Sequence, residues 1–483
     1  MEHSVLRSEF VAAIGAGAVL DDPVSLRSYE CDGLTGFRVV PEFVLLPTDT
    51  AQVAAAVSIC ARHAVPFVAR GAGTCLSGGS LPVAQGVVIS LQKLRSVLEI
   101  DVENRRAVVQ PGVTNLDVSK AVAEYGLYFA PDPSSQQVCT IGGNVAENSG
   151  GAHCLKYGFT VHHIHEVEVV LADGSVTTLG APSPHQPGYD LLGAFIGSEG
   201  TLGIVTRVTV KLLARPTAVR TLVADFPSVE QAGDTVTGMI AAGIVPAAVE
   251  MMDALALEAV EASVQAGYSL DTAAALLVEL DGPPAEVETQ FAEIEQLCQD
   301  NGTTKLVIAP TPESRAAMWK GRKAAFAAVG RISPNYFVQD GVVPRTRLAE
   351  ALVRISEMAD EAGLRVANVF HAGDGNLHPL VLYSEEAGEH DRAEHLSTAI
   401  AELCVDLGGS LSGEHGIGTD KACSMPRQYS DVDLATMTLL RKAFDPDEIC
   451  NPGKLLPTPR LCGDRPGPHR AHPLEAAGII ERI

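Results

Sequence analysis

None of the ten cysteines stands in a CxxC pair. No iron–sulfur cluster is therefore expected within the chain, and the scatter without an even framework is that of reduced thiols in a cytosolic chain. No run of 18 apolar residues occurs, so no membrane-crossing helix is expected. The opening MEHSVLRSEF lacks the charged-then-apolar order of a secretory signal. Positive charge is scarce as well. Lys and Arg number 35 against 59 Asp and Glu, a net charge of −24 that repels nucleic acid phosphates and anionic lipid alike. An anionic small molecule would therefore have to be held by a local cationic site. Internal repeats and low-complexity tracts are also missing.

What is there is an ordinary globular composition, 46% hydrophobic with 45 glycines over 483 residues, enough chain for two or three domains. PTDTAQVAAAVSICARHAV reads as a helix capped by Asp49, with Gln52 three residues on. VPFVAR reads as a strand that runs into the glycine-rich RGAGTCLSGGS, and GVVISL, SVLEIDVEN and RRAVVQPGV read as further strands. HEVEVVLADGSVTTL is a hairpin turning at Asp173-Gly174. From about Thr217 long helical patterns alternate with short apolar runs, which predicts a second sheet covered by helices. The fold class is α+β. The expected division is a leader over 1–36, a first domain over 37–215, a second over 216–412, a returning segment over 413–457, and a tail over 458–483 that forms a linker and short terminal helix.

GAGTCL fails the dinucleotide fingerprint because Leu76 stands where the third glycine belongs, and no GK[ST] follows. What remains is a run of small residues whose amide N–H groups can curl around an anion. A second stretch, PDPSSQQVCTIGGNVAENSGGAHCLKYG, carries five glycines, and a third, GSEGTLGIVT, ends in a strand. Three separated glycine loops in one half of a chain fit one large extended ligand better than three unrelated turns.

FHAGDGNLHPL sets a different problem. LRVANVF and LHPLVLY are strand-like, and Asp374-Gly375 between them signals a two-residue turn that would place His371 directly opposite His378. Opposite residues share a face with Cβ atoms about 4.5–5.5 Å apart, close enough for two imidazoles to converge on one cation. In LSGEHGIG, Glu414 adds a carboxylate and His415 a base. Two imidazoles, a carboxylate and an open position suit a catalytic divalent ion; Zn²⁺ is favoured, with Mn²⁺, Fe²⁺ and Co²⁺ as alternatives.

The three glycine loops together resemble the FAD-binding domain of the vanillyl-alcohol oxidase / p-cresol methylhydroxylase family. The resemblance implies that Arg70, Gly71, Ala72, Gly73, Thr74, Cys75 and Ser77 hold the pyrophosphate. It implies that Pro131, Asp132, Ser134, Ser135, Thr140, Gly142, Gly143, Asn144, Ala146, Asn148, Gly150 and Gly151 line the ribityl chain and ring, and that Glu199, Gly200, Ile204 and Val205 support the adenosine end. Thr74 stands where covalently flavinylated members carry histidine, so FAD is expected to bind without a covalent link.

The later motifs resemble the cap domain of FAD-dependent D-2-hydroxy-acid dehydrogenases. By that likeness His371, His378 and Glu414 hold the metal, His415 is the base, and Asn451 and Lys454 belong to a closing loop near the flavin. The stretch from Met318 to Arg345 is similar to the catalytic flavin subunits of glycolate oxidases and supplies Arg322 as the clamp for the substrate carboxylate. A lysine found in dehydrogenases of D-2-hydroxyglutarate would align near Val338; its absence implies a small monocarboxylate, glycolate or D-lactate. The expected reaction is oxidation to the 2-oxo acid with hydride transfer to flavin N5. Electrons would leave to a partner subunit, a quinone or another carrier, and the protein would be cytoplasmic, reaching the inner membrane only through a partner. A non-catalytic FAD-binding subunit is the alternative, but it should lack the paired histidines and GEHG; a flavin-free metallohydrolase would leave the glycine loops unexplained.

Overall fold

The structure is a computed structural model that describes residues 3–183, 188–458 and 481–482, so nearly all of the tail expected over 458–483 lies outside the described residues. It divides into two compact units. The first comprises the described parts of Met1–Gly150, Phe159–Arg215 and Glu414–Ile483, the second Gly151–Gly158 and Pro216–Gly413.

In the first unit the helix Thr50–His63 begins where Asp49 accepts the Gln52 N–H at 2.9 Å and ends at Ala64, which adopts φ 50°. Its buried face of Val53, Ala56, Val57 and Cys60 packs with Phe67, Val87 and Ile89 of a four-stranded sheet. There Val87–Ser90 lies parallel to both Phe43–Leu45 and Phe67–Arg70. The glycine-rich segment 71–86 is thus the crossover between two parallel strands, a task usually given to a helix. A second, antiparallel sheet of five strands contains the expected hairpin, Ile164–Val170 paired with Val176–Gly180.

One glycine stretch corrects the sequence reading. TIGGNVAEN is a helix, Ile141–Glu147, rather than a loop: Thr140 caps it by accepting the Gly143 N–H, and Asn148 closes it at φ 53°. Gly142 is small for packing, since a Cβ there would stand 2.6 Å from Pro111 Cβ.

The second unit is built on a nine-stranded sheet with both faces covered. Strand Ala274–Gly282 is buried along almost its whole length and opens with the unbroken apolar run 274–278 rather than alternating. Alternate residues divide between two cores. Leu276, Val278 and Leu280 meet the helices Val229–Ala241, Pro284–Asp300, Leu348–Ala362 and His390–Asp406, whereas Ala275 and Leu277 meet Ala254–Val264 and Pro312–Val329.

Among the described residues Cys423 is disulfide-bonded, so the expectation of reduced thiols throughout does not hold. Among the described residues no helix is long and apolar enough to cross a membrane.

Candidate active site

Within the first unit four segments distant in sequence converge. The third glycine loop is fastened to the second: Gly197 N–H donates to Val145 O at 2.9 Å and Glu199 N–H to Ala146 O at 2.8 Å. Glu199, in the left-handed region at φ 53°, is buried and accepts the N–H groups of Ile417 and Gly418, each at 2.7 Å. Asn451 Nδ2 donates to Gly79 O at 2.7 Å and to Glu199 O at 2.6 Å, and Lys454 Nζ donates to Leu81 O at 3.1 Å. Ser77 Oγ donates to the His415 carbonyl at 2.9 Å. The residue proposed as base is therefore tied through its backbone to the first glycine loop.

Close approach explains several glycines here. A Cβ on Gly71 would strike Thr140 Oγ1, one on Gly79 would lie 2.7 Å from Glu147 Oε1, and one on Gly416 would lie 2.7 Å from Glu147 and 2.8 Å from Glu199. Other expected cofactor contacts have protein partners. The Arg70 guanidinium donates to Cys31 O at 2.7 Å, Asn144 Oδ1 accepts from Asn115 Nδ2 at 3.1 Å, and Asn148 Oδ1 accepts the Val161 N–H at 2.9 Å. Ile204 and Val205 are buried in the hydrophobic cores, and Gly151 belongs to the second unit. Ser90 Oγ, Ser198 Oγ and Asn451 Oδ1 are buried without a hydrogen-bond partner among the described residues, as expected of groups awaiting a polar ligand. Together with the glycine loops these atoms fit FAD.

The same region holds buried acids, of which Glu147 and Asp32 were not singled out from the sequence. Burial, then the nearby Glu199, raises the Glu147 carboxyl well above its ordinary range, and burial pushes Glu199 and Asp32 each up to about 6. Burial also pushes the Lys454 ammonium down to about 8. Glu147 was in view in NVAEN, but nothing in the sequence announced its burial.

In the second unit the histidine hairpin departs from its expected register. His371 pairs with Asn376 and Asn368 with Pro379, so four residues, 372–375, form the turn instead of two. The reason lies at its end, where Asp374 Oδ1 accepts the Asn376 N–H at 3.2 Å and Gly375 takes φ 81°. A slip of two residues preserves the face, so His371 and His378 remain neighbours diagonally, ring centroids 5.1 Å apart at 86°.

Both imidazoles face carboxylates. Glu250, directly across the sheet from His371, lies 2.8 Å and 3.0 Å from its Nδ1. His378 Nδ1 is 3.7 Å from Asp340 Oδ1, while Asp340 Oδ2 accepts from Ser412 Oγ at 2.6 Å and from the Gly413 N–H at 3.0 Å. Asp340 thus holds the residue from which the chain continues into Glu414. Arg322, 2% exposed, sits on the helix Pro312–Val329 with Nη2 2.6 Å from Glu250 Oε2. Its Nε and Nη2 have no aligned hydrogen-bond acceptor among the described residues. The second unit therefore gathers His371, His378 and Arg322 on one side of its sheet; Glu414 and His415, with His415 Nε2 3.7 Å from Glu414 Oε1, belong to the first. Two imidazoles backed by carboxylates are a donor set that fits a divalent ion.

The family model for the C-terminal domain of FAD linked oxidases matches residues 215–455, and that for an FAD binding domain matches residues 41–180. The chain belongs to the FAD-linked oxidase family. It is 49% identical over 455 residues to the glycolate oxidase subunit GlcD of Escherichia coli (strain K12), covering 94% of this chain and 91% of that protein. It is 39% identical over 429 residues to the subunit of the same name from Bacillus subtilis (strain 168), covering 88% and 91%. Identity to a D-lactate dehydrogenase of Anaerostipes hadrus is 33% over 426 residues, covering 86% and 89%. Among solved structures, p-cresol methylhydroxylase with substrate bound matches with a TM-score of 0.77 at 17% identity, covering 93% of this chain and 96% of that one. The 4-ethylphenol oxidase of Gulosibacter chungangensis matches with 0.77 at 21%, covering 94% and 97%. At these identities the likeness is one of fold, and it agrees with the α+β, FAD-binding architecture expected from the glycine loops.

Proposed function

We propose that this chain is the catalytic flavin subunit of an FAD-dependent dehydrogenase that oxidises a small D-2-hydroxy acid, glycolate or D-lactate, to the 2-oxo acid. The observation that carries the reading is Arg322: a buried guanidinium with unaligned N–H groups on the same sheet face as a histidine pair, in a chain whose net charge is −24. Such a cation is what a small carboxylate needs, and a planar guanidinium binds it through two N–H groups.

Residues 37–215 would hold the flavin and 216–412 the substrate, with 413–457 returning to the flavin. His371, His378 and Glu414 would hold a divalent ion, Zn²⁺ by its donor set or Mn²⁺, Fe²⁺ or Co²⁺. Bound FAD supplies the hydride acceptor, and the bound ion supplies Lewis-acid polarisation of the substrate hydroxyl. The chain's own groups do the rest. Arg322 orients the carboxylate, and His415 takes the hydroxyl proton on an imidazole nitrogen whose ordinary pKa, about 6.5, suits it to neutral pH. Thr74 leaves the flavin without a covalent link. The relatives named as glycolate oxidase subunits support a partner subunit; a partner subunit, a quinone or another carrier would take the electrons, and a partner would give the chain a peripheral place at the inner membrane.

Anaerobic mixing with glycolate or D-lactate is expected to bleach the oxidised-flavin spectrum, and a chelator that strips the ion is expected to slow the bleaching. An unchanged spectrum with both acids would overturn the assignment.

A further inference from the structure

We infer that Glu250 is a positioning residue that couples two tasks of the candidate site, fixing the His371 tautomer for metal binding and holding Arg322 for the substrate carboxylate. The inference rests on the metal reading proposed above. It concerns a residue outside the metal ligands, base and clamp.

The sequence gives Glu250 no obvious role, since it stands in the apolar strand Ala248–Asp253. Alternation along that strand sends Ala248 and Met252 toward the helices Ala254–Val264 and Pro312–Val329, and Glu250 shares their parity. It therefore faces Arg322, and across the strand pair it stands opposite His371. Its side chain is 0% exposed, that of Arg322 3% and that of His371 5%. A buried carboxylate is costly unless each oxygen is used. Here Oε1 lies 2.8 Å from His371 Nδ1, and Oε2 lies 2.6 Å from Arg322 Nη2 and 3.0 Å from the same Nδ1.

The chemistry fixes the tautomer. An ionised carboxylate only accepts, so Nδ1 carries the proton and the lone pair of His371 is left on Nε2. That is the arrangement in which an outer carboxylate orients a metal-binding imidazole and raises its basicity. The ion pair with Arg322 engages the guanidinium only at Nη2, leaving Nε without an acceptor among the described residues. A carboxylate serving only to neutralise Arg322 would need no contact with His371.

The test compares metal affinity with substrate kinetics in the FAD-loaded protein, with Zn²⁺ added to chelator-stripped samples. Glu250→Gln should weaken Zn²⁺ binding roughly 10–100-fold and also raise the KM for the hydroxy acid, with Glu250→Asp recovering part of both losses. Arg322→Met should raise KM while leaving Zn²⁺ affinity within about threefold, because it touches no ligand of the ion. Unchanged Zn²⁺ affinity in Glu250→Gln overturns the inference alone. A wild-type protein that takes up no ion, or a His371→Ala variant that takes it up normally, overturns the metal reading beneath it. Should the Gln variant fail to fold, ¹⁵N NMR of histidine-labelled wild-type protein decides the matter: a protonated Nδ1 on His371 is expected, and a protonated Nε2 overturns the inference.

Discussion

His371 and His378 lie diagonally across a hairpin whose turn is two residues longer than its Asp-Gly signal implies, yet their rings stay 5.1 Å apart on one face. The face is kept because side chains alternate with period two, so a two-residue slip leaves it unchanged whereas a slip of one would separate the pair. Removing either imidazole should then abolish ion binding. For His378→Ala the expected loss of bound divalent metal, measured by elemental analysis of the FAD-loaded protein, exceeds the roughly 10–100-fold effect of altering an outer carboxylate. Full metal stoichiometry in that variant would remove His378 from the ligand set.

His415 is held by its backbone, through Ser77 Oγ, which donates to its carbonyl. His415→Asn should consequently keep flavin binding and slow flavin reduction by about 10²–10⁴-fold, the usual worth of a positioned base. Stopped-flow absorbance under anaerobic conditions measures this, and a rate within a few-fold of wild type counts against the role.

Glu199 gives a pH signature. Its carboxyl is raised from an ordinary 4.5 to about 6 by burial, so the folded state binds this proton more tightly than the unfolded chain does. The resulting stabilisation is present in full below 4.5 and is lost as pH rises through about 6, a change of about 2 kcal/mol. Glu199→Gln lacks that titration, so its stability relative to wild type should improve by about this amount between pH 4.5 and 7, read by denaturant unfolding. A pH-independent difference would show that the carboxylate is compensated by its amide partners at Ile417 and Gly418.

Much of this was legible in the sequence because the signals were local. The Asp49 cap announced its helix, and the glycine loops announced an extended ligand before any pairing was known. The two-residue turn was misjudged because Asn376 bonds to the Asp374 side chain, a competition that the dipeptide signal does not encode. The helix Ile141–Glu147 was hidden because Gly142 and Gly143 look like turn residues, whereas Gly142 is required by the neighbouring Pro111. Glu250 and Asp340 were missed for a third reason. Each is one acid in an apolar run, and its meaning appears only with the strand register that sets Glu250 against His371 and with the loop that brings Ser412 and Gly413 to Asp340.

Glu279 supplies the opposite pH behaviour in the second unit. Burial alone would raise its carboxyl, but hydrogen bonds from His153 and Arg315 and the Arg315 charge hold it well below the ordinary carboxylate range. Trp319 Nε1 and Thr221 Oγ1 each donate to Oε2 at 2.7 Å, and Arg315 grips both oxygens at 2.7 and 2.6 Å. A lowered carboxyl contributes stability above its unfolded value of 4.5 and loses it as pH falls below that value. Because Arg315 is 40% exposed, solvent screens part of the pair, so the expected cost of Glu279→Gln at pH 7 is about 2 kcal/mol rather than the larger figure for a fully buried ion pair. The cost should shrink as pH drops below 4.5, where wild-type Glu279 begins to give up the same advantage. Unfolding followed at Trp319, the single tryptophan of the chain, reports this unit directly. A cost that stays constant down to pH 3 would mean that hydrogen bonding, which the amide retains in part, outweighs the charge in holding this cluster.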